Sequence, residues 1–576
     1  MGASQSKLSD ESKEILSKMD KVTQTMMSAA PEKAIQANEN PPPDTCIQTD
    51  KVDLGWVKNQ GWFGGGSASS SSTASADDDN DRELSAFQKE EWAKVSIPEE
   101  VFQVSKSFTA HILRSDDNFG DYTTLEELTN GWLRNTWIFP FEDVPLFTPS
   151  RLAEGLAEQL EFVQGRALPV SYTNDFDTIS DESFSRFFFY GMGAVLLEKQ
   201  QQQSASPSQK EQLGPFVVDM NLSHTKMREG FRPLASRVHF SKDQTVTAIY
   251  DYSEETIYKP GEAGWEAAKF CARCAAFTLI TVREHLTWSH IVLSNSVTRG
   301  KTLHLPPNHP IRRLLTVFTF RTTEVNTAAF DVLVPENCVL HRGLGYDYTA
   351  MVDLFEHSYT SCNVFEPFPK RKLLPELEEL AQAGKFPYWT QGKAYYEIVQ
   401  AFVTEWMEQA EASASGSTTD DHAKAFYESI QTMNQGQQYT IPDYSDSESS
   451  AMVDLLTQFI WTVTAYHELV GNVVDVTLKP DRCGIRCVPG QTRVDVQAYL
   501  IALTISSSTS VRMPELMSRF ENFFGAGGAP GYERDVWEHF QSRLKEQSLR
   551  VQEEDEKRDV EFKYFDPVRF ECSVSV

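Results

Sequence analysis

The sequence predicts a mainly α-helical protein with a minor β component, and three observations support this prediction. Residues 265–297, 395–407 and 452–474 repeat apolar residues at helical spacing and have wide apolar faces. Residues 237–251 alternate apolar and polar positions, which is typical of a strand. No break in composition and no internal repeat interrupts residues 86–576, so we predict one large domain there.

The first 85 residues differ in composition from this domain. They contain a Pro-Pro-Pro run, a Gly-Gly-Gly run, the Ser-rich residues 67–73 and the acidic residues 77–81. Such composition is typical of linkers, because it offers little apolar surface to bury. We therefore predict a disordered tail over residues 1–85.

The extreme N-terminus fits the pattern for N-myristoylation, with Gly2 after Met1 and Ser6 four positions later. One acyl chain holds a protein to a membrane only marginally, and the lysines that follow are cancelled by acidic residues. No apolar signal segment is present at this end. We expect a cytoplasmic protein that associates weakly and reversibly with membranes through Gly2.

Charge and cysteine content narrow the classes of function. The net charge of −29 disfavours nucleic-acid binding, because a polyanion is repelled by the phosphate backbone. Eight cysteines include a CxxC pair, Cys271 and Cys274, and a CxxxC pair, Cys483 and Cys487. A zinc site is one interpretation, but the irregular spacing and the helical apolar surroundings of Cys271 favour reduced thiols in a core.

The most informative residues are His285 and His290, which lie five positions apart in a long apolar segment. On an α-helix this spacing separates two side chains by about 140°, since each residue advances about 100°. Two such histidines can share a metal only if the helix widens locally, as a π-bulge does. Otherwise they fill space in the core.

A third histidine favours the metal. His467 lies on another apolar helix, and Asn472 follows it five residues later, again at the wide spacing. A buried imidazole needs a polar partner, so three histidines on two buried helices indicate a shared ion. Imidazole suits iron, copper, nickel and zinc, and the ligand type alone does not choose among them.

The segments around these histidines resemble the lipoxygenase family, in register along most of residues 86–576. His285-Leu286-Thr287-Trp288-Ser289-His290 resembles the family's H-L-x-x-[ST]-H ligand motif. Five further segments resemble family motifs: Asp181-Glu182-Ser183-Phe184 with Gly191, Trp265-Glu266-Ala267-Ala268-Lys269, Asn308-His309-Pro310 with Ile311-Arg312-Arg313-Leu314-Leu315, Thr323-Glu324-Val325-Asn326, and Phe386-Pro387-Tyr388 with the helix from Tyr395.

The resemblance implies a single large helical lipoxygenase-like catalytic domain with one non-haem iron per chain. The family's ligands fall on His285, His290, His467 and the C-terminal carboxylate of Val576, and these histidines would act in catalysis through the iron. Members usually place an Asn four residues after the third histidine. Here that position is Gly471, so a widened turn would have to bring Asn472 to the metal.

Two further departures are visible. Many members carry Gln four positions before the first histidine, where this chain has the shorter Thr281. A change there is expected to alter the redox properties of the metal. The family's N-terminal lipid-binding β-sandwich is expected to be absent, because residues 1–85 are too few and too polar to form it.

The function that the resemblance implies is dioxygenation of a polyunsaturated fatty acid with O2, which yields lipid hydroperoxides of the oxylipin class. A hydroperoxide isomerase or lyase on the same fold is an alternative, because the fourth ligand is altered. A catalytically inactive lipid-binding or scaffold protein at membranes is another. A zinc hydrolase of the HExxH type is the weakest, because the second His of that motif would fall at Gly471.

Overall fold

The structure is a computed structural model, and it describes most of the chain after residue 179. The described residues are 180–199, 213–223, 225–306, 309–320, 322, 325–326, 333–334, 339–413, 420–444, 449–471, 484–492, 516–517, 524 and 531–574. The predicted tail and its boundary at residue 85 lie outside this part of the chain. Both stay predictions.

Helices make up most of the described residues, as the apolar periodicity predicts. The α-helices are α1 (Asp181–Phe189), α2 (Ala194–Lys199), α3 (Trp265–Leu279), α4 (Asn295–His304), α5 (Pro310–Phe318), α6 (Val339–Gly343), α7 (Tyr348–Thr360), α8 (Pro375–Gln382), α9 (Pro387–Ser413), α10 (Asp421–Met433), α11 (Ser449–Trp461), α12 (His467–Val470) and α13 (Gly531–Asp555). Two segments are π-helices: the first spans Ile280–Ser294 and the second Thr462–Tyr466. Short 3-10 helices occupy Phe368–Lys370, Lys563–Phe565 and Pro567–Arg569.

The minor β component is one antiparallel sheet of four strands in chain order. The strands are β1 (Phe216–Asn221), β2 (Ala235–Phe240), β3 (Val246–Asp251) and β4 (Thr256–Tyr258). The stretch 237–251, predicted as strand-like, therefore forms two strands. A tight turn divides them, in which Gln244 has a φ of 61° and Ser241 Oγ accepts from the backbone N–H of Asp243. This left-handed residue reverses the chain although the alternation continues on either side.

The three long helical segments are confirmed, with one elaboration. The segment predicted over 265–297 is α3, the first π-helix and α4 joined end to end, with no break in helical backbone angles at either junction. The second prediction lies within α9. The third, over 452–474, runs through α11, the second π-helix and α12 and is confirmed as far as Val470, while residues 472–474 lie outside the described part of the chain. Among the described helices, none has the combination of length and apolar character that crossing a bilayer requires.

The core packs around the two helices that contain π segments. Aromatic side chains fill the space between α9, α11 and α13, including Trp406, Trp461 and Trp537, all with 0% exposure. A bidentate ion pair between Arg313 on α5 and Glu533 on α13 lies within the core, with oxygen–nitrogen distances of 2.6 to 2.8 Å. In this core α9 packs against α13 and against α11, which continues into the second π-helix.

Candidate metal centre

The first π-helix places the side chains of His285 and His290 on the same side of the helix. Hydroxyls inside it follow the wide turn: Thr287 Oγ1 donates to the carbonyl of Val282 at 2.6 Å, and Ser289 Oγ donates to that of Glu284 at 2.9 Å. Both bonds span five residues, like the backbone bonds of a π-helix. The predicted widening is confirmed, and it extends over fifteen residues rather than a single bulge.

Three imidazole nitrogens converge at the centre of the helical layer. His290 Nε2 lies 3.0 Å from His285 Nε2 and 3.0 Å from His467 Nε2, and the third side of this triangle is 3.1 Å. The three side chains are 8%, 2% and 6% exposed in the order His285, His290 and His467. Among the described residues, this is the one group of three or more His, Cys, Asp or Glu side chains placed to share a metal ion.

The protonation of His290 supports a shared cation. Its Nδ1 lies 2.7 Å from Asn326 Oδ1, which only accepts hydrogen bonds, so the proton of the neutral ring is on Nδ1. The Nε2 atom of His290 therefore presents a lone pair to the other two Nε2 atoms. One cation on the common side of the triangle can take a lone pair from each Nε2 atom.

The size of the triangle also bears on the kind of metal. For a metal–nitrogen distance of about 2.1 Å, two nitrogens at a right angle lie about 3.0 Å apart and two at a tetrahedral angle about 3.4 Å apart. The observed separations of 3.0 to 3.1 Å match the right angle. Three ligands on one face of an octahedron leave positions open, as in non-haem iron oxygenases, whereas structural zinc sites are tetrahedral. The residues present therefore fit an octahedral metal.

Asn326 holds His290 in place from behind. Its Nδ2 donates to the carbonyl of His290 at 2.9 Å, to Asn295 Oδ1 at 2.6 Å and to Ser294 Oγ at 3.2 Å, and the side chain is 1% exposed. These donor bonds orient the amide so that Oδ1 faces the histidine. Sequence reasoning assigned no role to this residue, although it ends one of the segments that resemble the family motifs.

The two π-helices are tied by a second buried contact beside the triangle. Tyr466 donates to Glu284 Oε2 at 2.5 Å, and Arg283 donates to Oε1 of the same carboxylate at 2.7 Å. Glu284 has 0% exposure. Burial and the adjacent Glu284 carboxylate raise the pKa of Tyr466 well above its usual value, so its hydroxyl keeps the proton that it donates. Glu284 directly precedes His285, and Tyr466 directly precedes His467. The hydrogen bond between Tyr466 and Glu284 therefore also holds the two histidines near each other.

Gly471 borders the triangle directly. Its backbone N–H donates to the carbonyl of His467 at 2.7 Å and ends α12. A Cβ at this position would lie 3.0 Å from His285 Nε2 and 3.1 Å from His467 Cε1. The position four residues after His467 therefore faces the candidate site, and this chain places no side chain there.

Three predicted residues cannot be compared with the structure. Asn472, Val576 and Gly2 lie outside the described residues, so the fourth side-chain ligand, the carboxylate ligand and the acylation site stay predictions. The approach to the C-terminus is described as far as Val574, which has 0% exposure. Ser573 Oγ donates to the carbonyl of Phe320 at 2.7 Å, so this end of the chain is held in the core rather than frayed.

The other metal interpretations find no support in the described part of the chain. The histidines near His467 come from the first π-helix, and Gly471 stands where an HExxH motif needs its second histidine. Cys271, Cys274 and Cys487 are buried and do not join a group of metal-ligating side chains there. Their interpretation as core thiols agrees with this placement, and Cys483 lies outside the described residues.

The chain is similar in sequence to known lipoxygenases. The polyunsaturated fatty acid lipoxygenase ALOX15B of Homo sapiens is 24% identical over 353 residues, which is 56% of this chain and 49% of that protein. The Rattus norvegicus protein is 24% identical over 225 residues, which is 38% of this chain and 32% of that protein. The matches thus span half or less of these relatives. No protein-family model matches the chain.

Solved structures show the same fold. A LOX variant solved anaerobically in complex with arachidonate superimposes with a TM-score of 0.58 at 17% identity, over 73% of this chain and 70% of that one. The manganese lipoxygenase of Gaeumannomyces graminis gives a TM-score of 0.54 at 14% identity, over 74% and 89%. The structure is thus a helical lipoxygenase catalytic fold with a small sheet. The resemblance to the lipoxygenase family is confirmed at the level of the fold and of the sequence similarity to these two lipoxygenases.

Proposed function

We propose that this protein is a non-haem iron dioxygenase that inserts O2 into polyunsaturated fatty acids and releases lipid hydroperoxides. The observation that carries the proposal is the buried triangle of Nε2 atoms from His285, His290 and His467, with sides of 3.0 to 3.1 Å. The fatty-acid substrate class is supported by the similarity to ALOX15B and to a LOX that was solved with arachidonate.

We propose one iron per chain, held by the three histidines and the C-terminal carboxylate of Val576. Neutral nitrogen ligands with an anionic oxygen and open positions suit iron that changes its oxidation state. Bound iron supplies the one-electron chemistry that removes a hydrogen atom from a bisallylic carbon, whose radical is delocalised. Manganese is the competing metal, since a manganese lipoxygenase shares the fold.

The protein's own contribution is orientation and exclusion of water. Asn326 keeps the proton of His290 on Nδ1, which leaves Nε2 as the ligand atom. Trp288 Nε1 donates to the carbonyl of Ser358 at 2.6 Å and fixes the first π-helix against α7. The helix around the histidines is buried, and its side chains include the apolar Leu286 and Ile291. A reactive carbon radical formed there is protected from side reactions with water.

The test uses the full-length chain loaded with iron or manganese. We expect bound metal, oxygen uptake and absorbance of a conjugated diene when linoleate or arachidonate is added. His290→Ala should lose the metal and both signals. His539→Ala is the matched control, because this exposed histidine on α13 contacts Glu405 and is not a member of the triangle. An iron-loaded protein that consumes no oxygen and forms no diene with either acid would overturn the proposal.

A second candidate activity is isomerisation or cleavage of fatty-acid hydroperoxides on the same site. Gly471 favours it, because the position that borders His285 and His467 has no side chain to act as a fourth ligand. This activity would consume an added fatty-acid hydroperoxide without oxygen uptake. Hydroperoxide that persists in the presence of the iron-loaded protein excludes it.

We also propose a cytoplasmic protein that associates reversibly with membranes through acylated Gly2. The motif at residues 2–6 supports this proposal. Because one acyl chain binds weakly, the protein should divide between the soluble and membrane fractions of its host cell. Gly2→Ala should move it to the soluble fraction, and an unchanged distribution would refute the acylation.

A further inference from the structure

Polar side chains follow one another along α4 inside the core. Asn295, Thr298 and Lys301 are spaced by three residues, so they lie along one ridge of the helix surface. Their exposed fractions are 0%, 5% and 3%. Neither Thr298 nor Lys301 has a part in the candidate metal centre or in the proposed reaction.

A second row of polar side chains runs antiparallel to this ridge. Lys301 Nζ donates to Thr319 Oγ1 at 2.7 Å, and Asn326 Nδ2 donates to Asn295 Oδ1 at 2.6 Å. The two contacts lie at opposite ends of the ridge, and the residue numbers increase along one row as they decrease along the other. The six residues that we call the polar seam are Asn295, Thr298, Lys301, Thr319, Thr322 and Asn326.

The middle of the polar seam is formed by Thr298 and Thr322. Thr322 is helical and 0% exposed, and it lies between Thr319 and Asn326 in the chain as Thr298 lies between their two partners. This register places the two threonines opposite each other. Within the described part of the chain, three buried polar atoms of the seam have no hydrogen-bond partner: Thr298 Oγ1, Thr322 Oγ1 and Asn295 Nδ2. A buried polar group without a partner is costly, so a ligand that satisfies all three is favoured.

The orientation of the two amides follows from the carbonyl of His290. A carbonyl oxygen only accepts, so the Asn326 atom that lies 2.9 Å from it is Nδ2. The same Nδ2 also donates to Asn295, whose atom in that bond is therefore Oδ1. Asn295 Nδ2 is consequently a donor, and it is the part of this amide that lacks a partner.

We infer that an ordered water molecule binds in the polar seam between Thr298 and Thr322 and accepts a hydrogen bond from Asn295 Nδ2. Buried waters typically make about three hydrogen bonds to polar groups that lack other partners, and they belong to the folded structure. This water accepts one bond from the amide and donates one to each threonine oxygen, which uses both of its protons. A cation does not fit, because the amide offers a proton and not a lone pair.

The water completes a line of hydrogen bonds that ends at the candidate metal centre. It holds the amide of Asn295, whose Oδ1 accepts from Asn326, and Asn326 Oδ1 lies 2.7 Å from His290 Nδ1. Thr298 and Thr322 are thus positioning residues, which act on His290 through one water and two amides. This positioning role rests on the proposed function, whereas the water site does not depend on it.

The first experiment is a crystal structure of the full-length, metal-free protein and of the variants Thr298→Val and Thr322→Val. Valine keeps the shape of threonine and removes its hydroxyl. We expect a water peak at about 2.5 to 3.2 Å from both hydroxyls and from Asn295 Nδ2 in the wild type, and its loss in both variants. Hydroxyls that bond each other directly, or a seam that contains only apolar atoms between them, would overturn the inference. The wild-type structure decides this if a variant fails to fold.

Urea denaturation of the same metal-free proteins gives an independent test by the sign of the change. If water binds the hydroxyls, each valine leaves the remaining partners unsatisfied, and the urea midpoint falls. In a dry seam each valine would instead remove a hydroxyl without a partner, and the midpoint would rise, which contradicts the inference. The double variant should lose less than the sum of the two single losses, because both substitutions disrupt the same water.

Iron affinity, measured by competition with a chelator, tests the positioning role. Both valine variants should bind iron more weakly, by less than the loss of about 10- to 100-fold that is typical for a direct partner of a ligand. Thr298→Ser restores the hydroxyl and should restore the affinity. Thr278→Val is the matched control, because Thr278 is 0% exposed, lies on α3 and donates to the carbonyl of Ile485 at 3.5 Å. It should keep the iron affinity of the wild type, and equal affinity in the two seam variants would refute the positioning role.

None of these measurements requires dioxygenase activity. The crystal structure and the urea midpoints use metal-free protein, so they decide on the water even if the chain forms no hydroperoxide from linoleate. An active dioxygenase can equally have a dry seam. The two proposals therefore fail separately.

Discussion

Two different substitutions of Asn326 distinguish its contribution to metal binding from its contribution to the stability of the fold. Asn326→Asp keeps an oxygen that accepts from His290 Nδ1, whereas Asn326→Leu removes it. Both variants lose the amide protons that bind the carbonyl of His290 and the side chain of Asn295 at 2.9 and 2.6 Å. We expect Leu to weaken both metal binding and the fold, and Asp to weaken mainly the fold.

The magnitudes follow from the contacts. Loss of a group that orients a histidine ligand typically lowers metal affinity by about 10- to 100-fold. We expect this loss in Asn326→Leu and a change within a few-fold in Asn326→Asp. A buried polar group left without its partner costs about 1–3 kcal/mol, so each variant should lose several kcal/mol of unfolding free energy. In the Asp variant, carboxylate oxygen also repels Asn295 Oδ1.

Iron affinity would be measured by competition with a chelator, and unfolding free energy by urea denaturation of the metal-free protein. Asn434→Leu is the matched control, because Asn434 is 4% exposed and donates to Ser296 Oγ at 3.1 Å and to the carbonyl of Ile430 at 2.8 Å. It should lose stability but keep its iron affinity. If Asn326→Leu is destabilised yet binds iron as tightly as the wild type, Asn326 does not orient His290 for the metal.

Three further predictions use other parts of the structure. Gly471→Ala places a Cβ 3.0 Å from His285 Nε2. The resulting overpacking of about 1–3 kcal/mol should lower the iron affinity by about 5- to 150-fold in the same chelator assay. Equal affinity would show that the position is open. Tyr466→Phe removes a hydrogen bond to the buried Glu284 carboxylate and should lower the free energy of unfolding by about 1–3 kcal/mol in urea denaturation at pH 7. An unchanged midpoint would show that this bond does not stabilise the packing of the two π-helices. Burial lowers the pKa of His239 from 6.5 to about 4, so the folded state resists a protonation that the unfolded state accepts. The unfolding free energy is therefore highest above pH 6.5 and falls by up to about 3 kcal/mol as the pH decreases to 4. His239→Gln should lose this part of the pH dependence, and an equal slope in both proteins would refute the prediction.

Local patterns predicted the helical architecture and the unusual helix at its centre. A spacing of five residues between His285 and His290 fits a π turn and not an α turn, so these two residues suffice to predict the widening. They do not predict the length of the π-helix. The hydroxyls of Thr287 and Ser289 support the wide turn by bonding carbonyls five residues back, and the extension over Ile280–Ser294 depends on such added contacts.

The sheet contains a chain reversal that the alternation of apolar and polar residues does not predict. Alternation of apolar and polar residues over 237–251 predicted extended structure, which is confirmed, but the same alternation continues through a hairpin. The reversal is set by the turn at Ser241 and by the positive φ of Gln244, a conformation that residues other than Gly adopt infrequently. Pairing of β2 with β3 compensates for this conformation, and no pattern within either strand records it.

The sequence by itself identified the candidate side chains, which are the three histidines, the helices that carry them, and the resemblance that connects them to a family. The tertiary structure decided how these residues are supported. Asn326 at His290, Gly471 beside His285 and the hydrogen bond from Tyr466 to Glu284 are contacts between segments distant in sequence. Their distances depend on how whole helices pack together. Packing follows shape and volume over the entire core, so short-range periodicity and motif spacing do not encode it.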